Sequence, residues 1–499
     1  MKTTHKIYCY KSLSANNNDK RIFIQQKKNE EQHMKTNIKL FFSAVIVTFF
    51  SSCSNDIINK EPLDQLAPET LFQTEGGFRS ALDGVYAVMK QDFYGYYFGI
   101  YTIPEAISDD LLGSSNSKDF SFDNSSGNIY PLAYNSTTGN VEGFWRISYQ
   151  AINSVNTIIK MARASSLPNK NAFLGEALGI RALLYYNLYR FYSPAYSIDK
   201  KALSVPYRFE TDKLLDVKPR NTTAEVIQFI QADLNEAAAL ATNTVNSYRI
   251  SKTAIYALLA RVSHETADYK NAIVYSNLAL ADARYKLDNT LAALQKEWDK
   301  DDSGEIIFRI RFENTEMGQN AALFAIPVLS SYPYLVSTDL INLYDKTKDL
   351  RFTVYFKNHP TIANSYYPKK QAGTRTTNAS ASDPGNIDLK LMRVPELYLI
   401  LAESYLRGSD NASALNNLNK LRNARGLGDY SGADLGKEVL NERRRELAFE
   451  GFRFTDLKRL GLGFKRADGT GLSVNANRFA LPIPQTEIDR SGIAQNPGY

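Results

Sequence analysis

Two pairs of alanines, each twelve residues apart, constrain the fold of this 499-residue chain more than any other feature. Ala260 and Ala272 lie within residues 254–280, and Ala402 and Ala414 lie within residues 395–421. In each copy the first alanine opens the contact face of one helix and the second opens that of the next. Small residues at those points let two antiparallel helices approach closely. Ala279 and Leu421 hold the next matching position. Ala182-x-x-Tyr185 reads as the first half of another unit, with its partner helix displaced to residues 223–241. Apolar periodicity predicts further helices over residues 74–90, from Trp145 to near Arg163, over 175–191 and over 337–344. Residues 305–312 alternate and predict a strand.

The twelve-residue spacing resembles the tetratricopeptide pattern. Two good copies and one or two interrupted ones suffice for a scaffold, not for a regular solenoid. The expected fold class is mainly α, with tetratricopeptide-like helix pairs, long irregular loops and a few short strands. The loops are where binding is expected. Residues 91–143 are rich in Gly, Ser, Asn and Tyr, and 358–388 form a second polar stretch. Tyr94, Tyr96, Tyr97, Tyr130, Tyr134, Tyr332, Tyr334, Tyr366 and Tyr367 all fall in predicted loops. Sugars lay their C–H faces on aromatic rings while Asn, Asp and Arg reach the hydroxyls. An arc of any three of these tyrosines would make a glycan platform. The competing readings are an insertion without a ligand role, and tyrosines packed at helix interfaces. Trp145 and Trp298, the only tryptophans, read as core.

Residues 440–461 are both highly charged and apolar. Read as a helix, Glu442, Glu446 and Glu450 fall four apart on one face. Arg443, Arg445 and Arg453 lie within pairing reach, and Leu440, Leu447 and Phe449 form an apolar flank. Gly451 stops or bends the helix. A half-buried helix of this kind must pair its charges. The expectation is therefore a structural ion-pair network of Glu442, Arg443, Glu446, Glu450, Arg453 and Asp456. Glu446 and Glu450 make poor glycosidase carboxylates, because neighbouring arginines hold them ionised and a general acid needs the opposite. Asp109-Asp110 and the acidic run at 299–302 lack calcium-loop spacing and read as solvated turns. His264 reads as a packing or capping residue of the repeat. No nucleotide-binding glycine motif or nucleophile elbow is present. The chain is expected to be no enzyme and to hold no metal or cofactor.

The N-terminal region is of another kind. Residues 1–52 carry nine basic and three acidic residues, and the remainder balances at 50 of each. Once the N-terminal region is removed, no electrostatic case for nucleic acid is left. The only cysteines are Cys9 and Cys53. Met34, Lys35 and Lys39 precede an apolar run, Leu40 to Phe50, then Ser51-Ser52-Cys53. This is a basic n-region, an h-region too short to span a bilayer, and small residues before a cleavage point. The ending resembles a lipobox, with Phe50 where Leu is usual, and would make Cys53 the lipid-bearing first residue. The alternative is an ordinary signal peptide with a chance cysteine. The expected organisation is 1–33 ahead of the true start at Met34, 34–52 a lipoprotein signal peptide, 53–72 a lipid-anchored tether, and 73–499 a single domain.

Glu442-Arg443-x-x-Glu446-Leu447-x-Phe449-Glu450-Gly451-x-Arg453-x-x-Asp456-Leu457-x-Arg459 resembles the C-terminal signature of SusD/RagB-like lipoproteins. The tail resembles it too, with Leu481-Pro482-Ile483-Pro484-x-x-Glu487 closing on Gln495-Asn496-Pro497-Gly498-Tyr499. The resemblance implies an outer-membrane lipoprotein held by its lipid and facing the cell exterior. It implies a SusC-like TonB-dependent transporter as partner and an oligomeric nutrient as cargo. A glycan is the first expectation and a peptide the second. A secreted glycosidase and a pure scaffold remain as alternatives from other classes.

Overall fold

The computed structural model describes residues 68–91, 96, 98–113, 129–211, 217–243, 246–313, 334–371 and 387–499. The chain divides into two units, residues 1–70 and 71–499.

Among the described residues the second unit is built of helices with four two-stranded antiparallel ribbons. In chain order, α1 is Glu75–Lys90, capped by Thr74, and β1 is Leu111–Gly113. α2 is Gly139–Ala164, α3 is Lys170–Tyr192 and α4 is Thr223–Leu240. Thr222 and Glu225 form a reciprocal capping box at the start of α4. α5 (Lys252–Glu265) and α6 (Tyr269–Leu280) are followed by α7 (Leu291–Lys300) and β2 (Ile306–Ile310). Next come β3 (Tyr334–Val336), β4 (Phe356–Asn358), β5 (Tyr366–Pro368) and β6 (Leu389–Arg393). α8 (Val394–Arg407), α9 (Asn411–Ala424), α10 (Leu435–Glu446) and α11 (Arg453–Arg459) follow, and a short helix, Gln485–Ser491, lies near the C-terminus. The strands pair β1 with β3, β2 with β6 and β4 with β5.

The helix pairs are where the alanine spacing puts them. α5 packs on α6 and α8 on α9, and Ala260, Ala272, Ala279, Ala402, Ala414 and Leu421 are all without solvent exposure. α6 packs in turn on α8, so the two pairs stack. Their turns match as well. Ala267 and Ser409 take left-handed φ values of 60° and 65°, and the next residue, Asp268 or Asp410, caps the second helix. α3 is buried on every side from Phe173 to Tyr192, between α2 and α4, as a central helix must be. His264 of α5 sits 2.9 Å from Glu403 of α8 and joins the two pairs.

The signature stretch departs from a single helix. α10 ends at Glu446, Phe449 takes φ 65° and Gly451 φ 76°, so Glu450 leaves the helix face it was expected to share. A β-carbon on Gly451 would stand 1.9 Å from the Ile100 carbonyl oxygen, which is why glycine occupies the position. The counter-charges also differ from the local pairing expected. Glu446 accepts from Arg425 Nε at 2.9 Å, Arg351 Nη1 at 3.0 Å and Arg393 Nη2 at 3.1 Å. Glu442 takes Arg351 at 2.8 Å and Arg445 Nε at 3.0 Å, and Glu450 takes Lys370 at 2.6 Å and Arg393 Nε at 2.9 Å. Trp298 lies beneath this cluster, its ring centroid 4.6 to 5.0 Å from Lys390, Lys370 and Arg393. Arg443 pairs with Asp456 at 2.8 Å, and Arg453 grips Asp109 at 2.7 Å.

Three further expectations are corrected. Asp110 is fully buried and bonded to Arg444 at 2.7 Å, and Asp301 is buried against Lys390 at 2.6 Å, so neither acidic turn is simply solvated. Only Thr338–Ile341 is helical of the helix expected over 337–344. The polar loop over 358–388 begins as the β4–β5 ribbon, and its Lys370 and Gln371 are buried. Among the described residues no helix is long and apolar enough to cross a membrane.

Candidate functional site

The nine candidate tyrosines part into three groups. Tyr94, Tyr97 and Tyr332 lie outside the described residues. Tyr96, Tyr134 and Tyr367 are buried, a correction to their reading as open loop rings. The Tyr96 hydroxyl accepts from Asn187 Nδ2 at 2.6 Å beside the Phe144 ring. The Tyr134 hydroxyl donates to the Arg478 carbonyl at 2.9 Å, and its ring packs near Tyr499. Tyr367 turns to the inner side of β5, because side chains alternate along a strand. These three rings fill the interior and offer no face to a ligand.

Tyr130, Tyr334 and Tyr366 remain, all half-buried. Tyr334 and Tyr366 sit in strands rather than loops. The Tyr130 and Tyr334 ring centroids are 6.0 Å apart, tilted by 50°. β5 packs against β3, which brings Tyr366 into the same neighbourhood. Beyond Tyr366 the half-buried Phe352 continues the run, edge-on at 5.2 Å. Four rings thus follow one another, from the turn that carries Tyr130 through β3 and β5 to Phe352 on the short helix Leu350–Tyr355.

The polar frame of this arc was not legible beforehand. The Arg466 guanidinium lies 4.2 Å from the Tyr130 ring centroid. It is fixed there by donating to the carbonyls of Ser108 at 2.7 Å, Ala106 at 2.8 Å and Tyr130 at 2.6 Å. The Tyr130 hydroxyl donates to exposed Asp468 at 2.6 Å. Lys346, also exposed, stands 5.2 Å from the Tyr366 ring. Arg466 and Asp468 come from the ribbon of β7 (Phe464–Lys465) and β8 (Gly471–Leu472). Its turn signal was present as Asp468-Gly469, with Gly469 at φ 87°. Rings with a rigid guanidinium behind and carboxylate and ammonium groups at the rim suit a ligand that is apolar on one face and hydroxylated at its edges.

The carboxylates of the signature cannot serve as general acids. Burial alone would raise Glu446, but Arg425 and Arg393 overcome it and hold the carboxyl well below its usual range. Glu442 is held at about 2 against burial by Arg351 and Arg445.

Residues 243–499 match the profile of the SusD family, and residues 63–263 match a family described as starch-binding and associating with the outer membrane. The chain is 28% identical to SusD-like protein P2 of Formosa agariphila, across 92% of this chain and 99% of that relative. A SusD superfamily protein from Bacteroides thetaiotaomicron superposes with a TM-score of 0.74 at 24% identity, covering 85% of this chain and 99% of the other. A SusD-like carbohydrate binding protein from Bacteroides vulgatus does so at 0.71 and 20%, covering 84% and 96%. These two likenesses speak to the fold.

Proposed function

The chain belongs to the SusD family, and from that premise we propose that it is a cell-surface lipoprotein that captures an oligomeric nutrient, a glycan, and passes it to a TonB-dependent outer-membrane transporter. The observation that carries the reading is the arc of Tyr130, Tyr334, Tyr366 and Phe352, framed by Arg466, Asp468 and Lys346. The starch-binding, outer-membrane-associated family matched by residues 63–263 supports both the ligand class and the place. Anchoring falls to the lipid on Cys53. Capture of this kind needs no bond making: the lipoprotein closes over the barrel with its cargo, and the transporter performs the energised step.

Calorimetry of the protein against neutral oligosaccharides and, separately, a protein digest tests the reading. Saturable heat from one glycan class is expected, weakened by about tenfold in Tyr334→Ala, the loss of one stacking ring. Heat from the digest alone would move the cargo to peptides. Labelled palmitate should be incorporated at Cys53 and be lost in Cys53→Ala.

A further inference from the structure

Nine large apolar side chains are exposed among the described residues, and four of them gather at one hollow. Ile198, Leu203, Leu462 and Val474 are 47, 42, 43 and 61% exposed. Ile198 and Leu462 line the hollow, and Leu203 and Val474 adjoin its lining residues Ala202 and Asn475. Its volume is about 240 Å³, short of the ~300–1,000 Å³ usual for small-ligand sites, so it is a dip in a surface rather than a ligand pocket.

Two loops build this face. The loop after α3 is tied to the end of α11 by Ser197 Oγ, which donates to the Arg459 carbonyl at 2.9 Å. A β-carbon on Gly461 would stand 3.5 Å from Ile198 Cδ1, and one on Gly463 would stand 2.8 Å from the Val474 amide nitrogen. Ile198, Leu462 and Val474 are therefore neighbours, although more than two hundred residues separate the loops. A contiguous exposed apolar face of this kind marks a contact surface.

Its chemistry selects the partner. Protein interfaces are enriched in aromatic residues, Met and Arg, and depleted in Lys. Here the exposed side chains are all aliphatic, and the cations beside them are Lys200, Lys201 and Lys465, all exposed. Asp199 is the one carboxylate of the first loop, and Asp468, at the turn of the β7–β8 ribbon, is engaged by Tyr130 at 2.6 Å. Aliphatic side chains enter the boundary between headgroups and acyl chains, and lysines beside them reach anionic headgroups along their own apolar stems.

We propose that this face docks on an anionic lipid surface, with the four aliphatic side chains at the acyl boundary and Lys200, Lys201 and Lys465 on the lipid phosphates. That a membrane lies within reach rests on the lipoprotein reading above; the docking face is read from the two loops. A lipid at Cys53 holds the chain near a bilayer without setting which side of the body faces it, and this contact sets it.

The test uses the mature chain from residue 53 with Cys53→Ala, so that no acyl chain contributes. It is sedimented with vesicles of phosphatidylglycerol and phosphatidylethanolamine, or of phosphatidylcholine alone. Binding to the anionic vesicles is expected, with new hydrogen-exchange protection over residues 197–203 and 461–475. Lys200→Glu combined with Lys201→Glu should weaken it by more than tenfold, since each lysine near an anionic surface contributes about fivefold. Leu462→Ser combined with Val474→Ser should weaken it by about tenfold through lost apolar burial. Thermal melting verifies folding, which substitutions at exposed positions leave intact. No vesicle binding, equal binding to phosphatidylcholine, protection elsewhere, or indifference to either pair of substitutions overturns the proposal. So does a dimer that the same substitutions break, which would give the face to a second copy. In each of these cases the lipoprotein reading stands if labelled palmitate still enters Cys53 of the wild type, and falls with the proposal if it does not.

Discussion

Glu446 is the carboxylate on which Arg351, Arg393 and Arg425 converge, all of them closed to solvent. Replacing it with glutamine keeps the shape and removes the charge, leaving three buried guanidiniums short of an anion. Glu446→Gln should cost about 3–5 kcal/mol in urea unfolding, the usual penalty for orphaning a buried ion pair. Lys458 poses the opposite case. Burial pulls its ammonium down to about 7, while it donates to the Ser193 carbonyl at 2.9 Å. In the unfolded chain it titrates near ~10.4, so between these values the unfolded state binds more protons and stability rises with pH. Wild type should therefore gain stability over Lys458→Met as pH climbs from 7 to 10, read as the difference between their denaturation midpoints. Glu442, held at about 2, has the acid-side sign: its contribution is present above its unfolded value of ~4.3 and is lost as pH falls through the folded one.

At the scale of elements, the turn after α10 is set by one residue. Gly451→Ala would place a β-carbon against the Ile100 carbonyl at a φ of 76°, and should cost about 3 kcal/mol or more in thermal unfolding. The helix pairs were legible because a short, local spacing encodes them: alanines at 260 and 272, and again at 402 and 414, are all an antiparallel hairpin needs to close. The partners of Glu446 and Glu450 were not, since Arg351, Lys370, Arg393 and Arg425 lie 21 to 95 residues away and no local pattern points to them. The tyrosines illustrate the same limit. Composition marked residues 91–143 as binding-prone, yet Tyr96 and Tyr134 are buried while Tyr130 is partly open, because burial depends on what packs from afar. Tyr130 is framed by Arg466, more than three hundred residues downstream.

Across the whole molecule, the C-terminal tail ties distant parts together. Asn496 donates to the carbonyls of Tyr192 at 2.8 Å and Leu481 at 2.7 Å, and accepts from Arg220 at 2.6 Å. It thus joins the end of α3, the segment ahead of α4 and the closing strand-like run in one node. Asn496→Ala strands three buried groups, and about 2–4 kcal/mol should be lost together with hydrogen-exchange protection at the end of α3.

The charge cluster also sets an order of events. Its arginines at 351, 393 and 425 are made before the glutamates at 442, 446 and 450 that neutralise them. A chain still growing from its N-terminus has only Glu297, Glu305 and Asp349 to set against those cations, so the cluster lacks half of its carboxylates. The charge balance of the interior around Trp298 is therefore completed only by the last segment to be made.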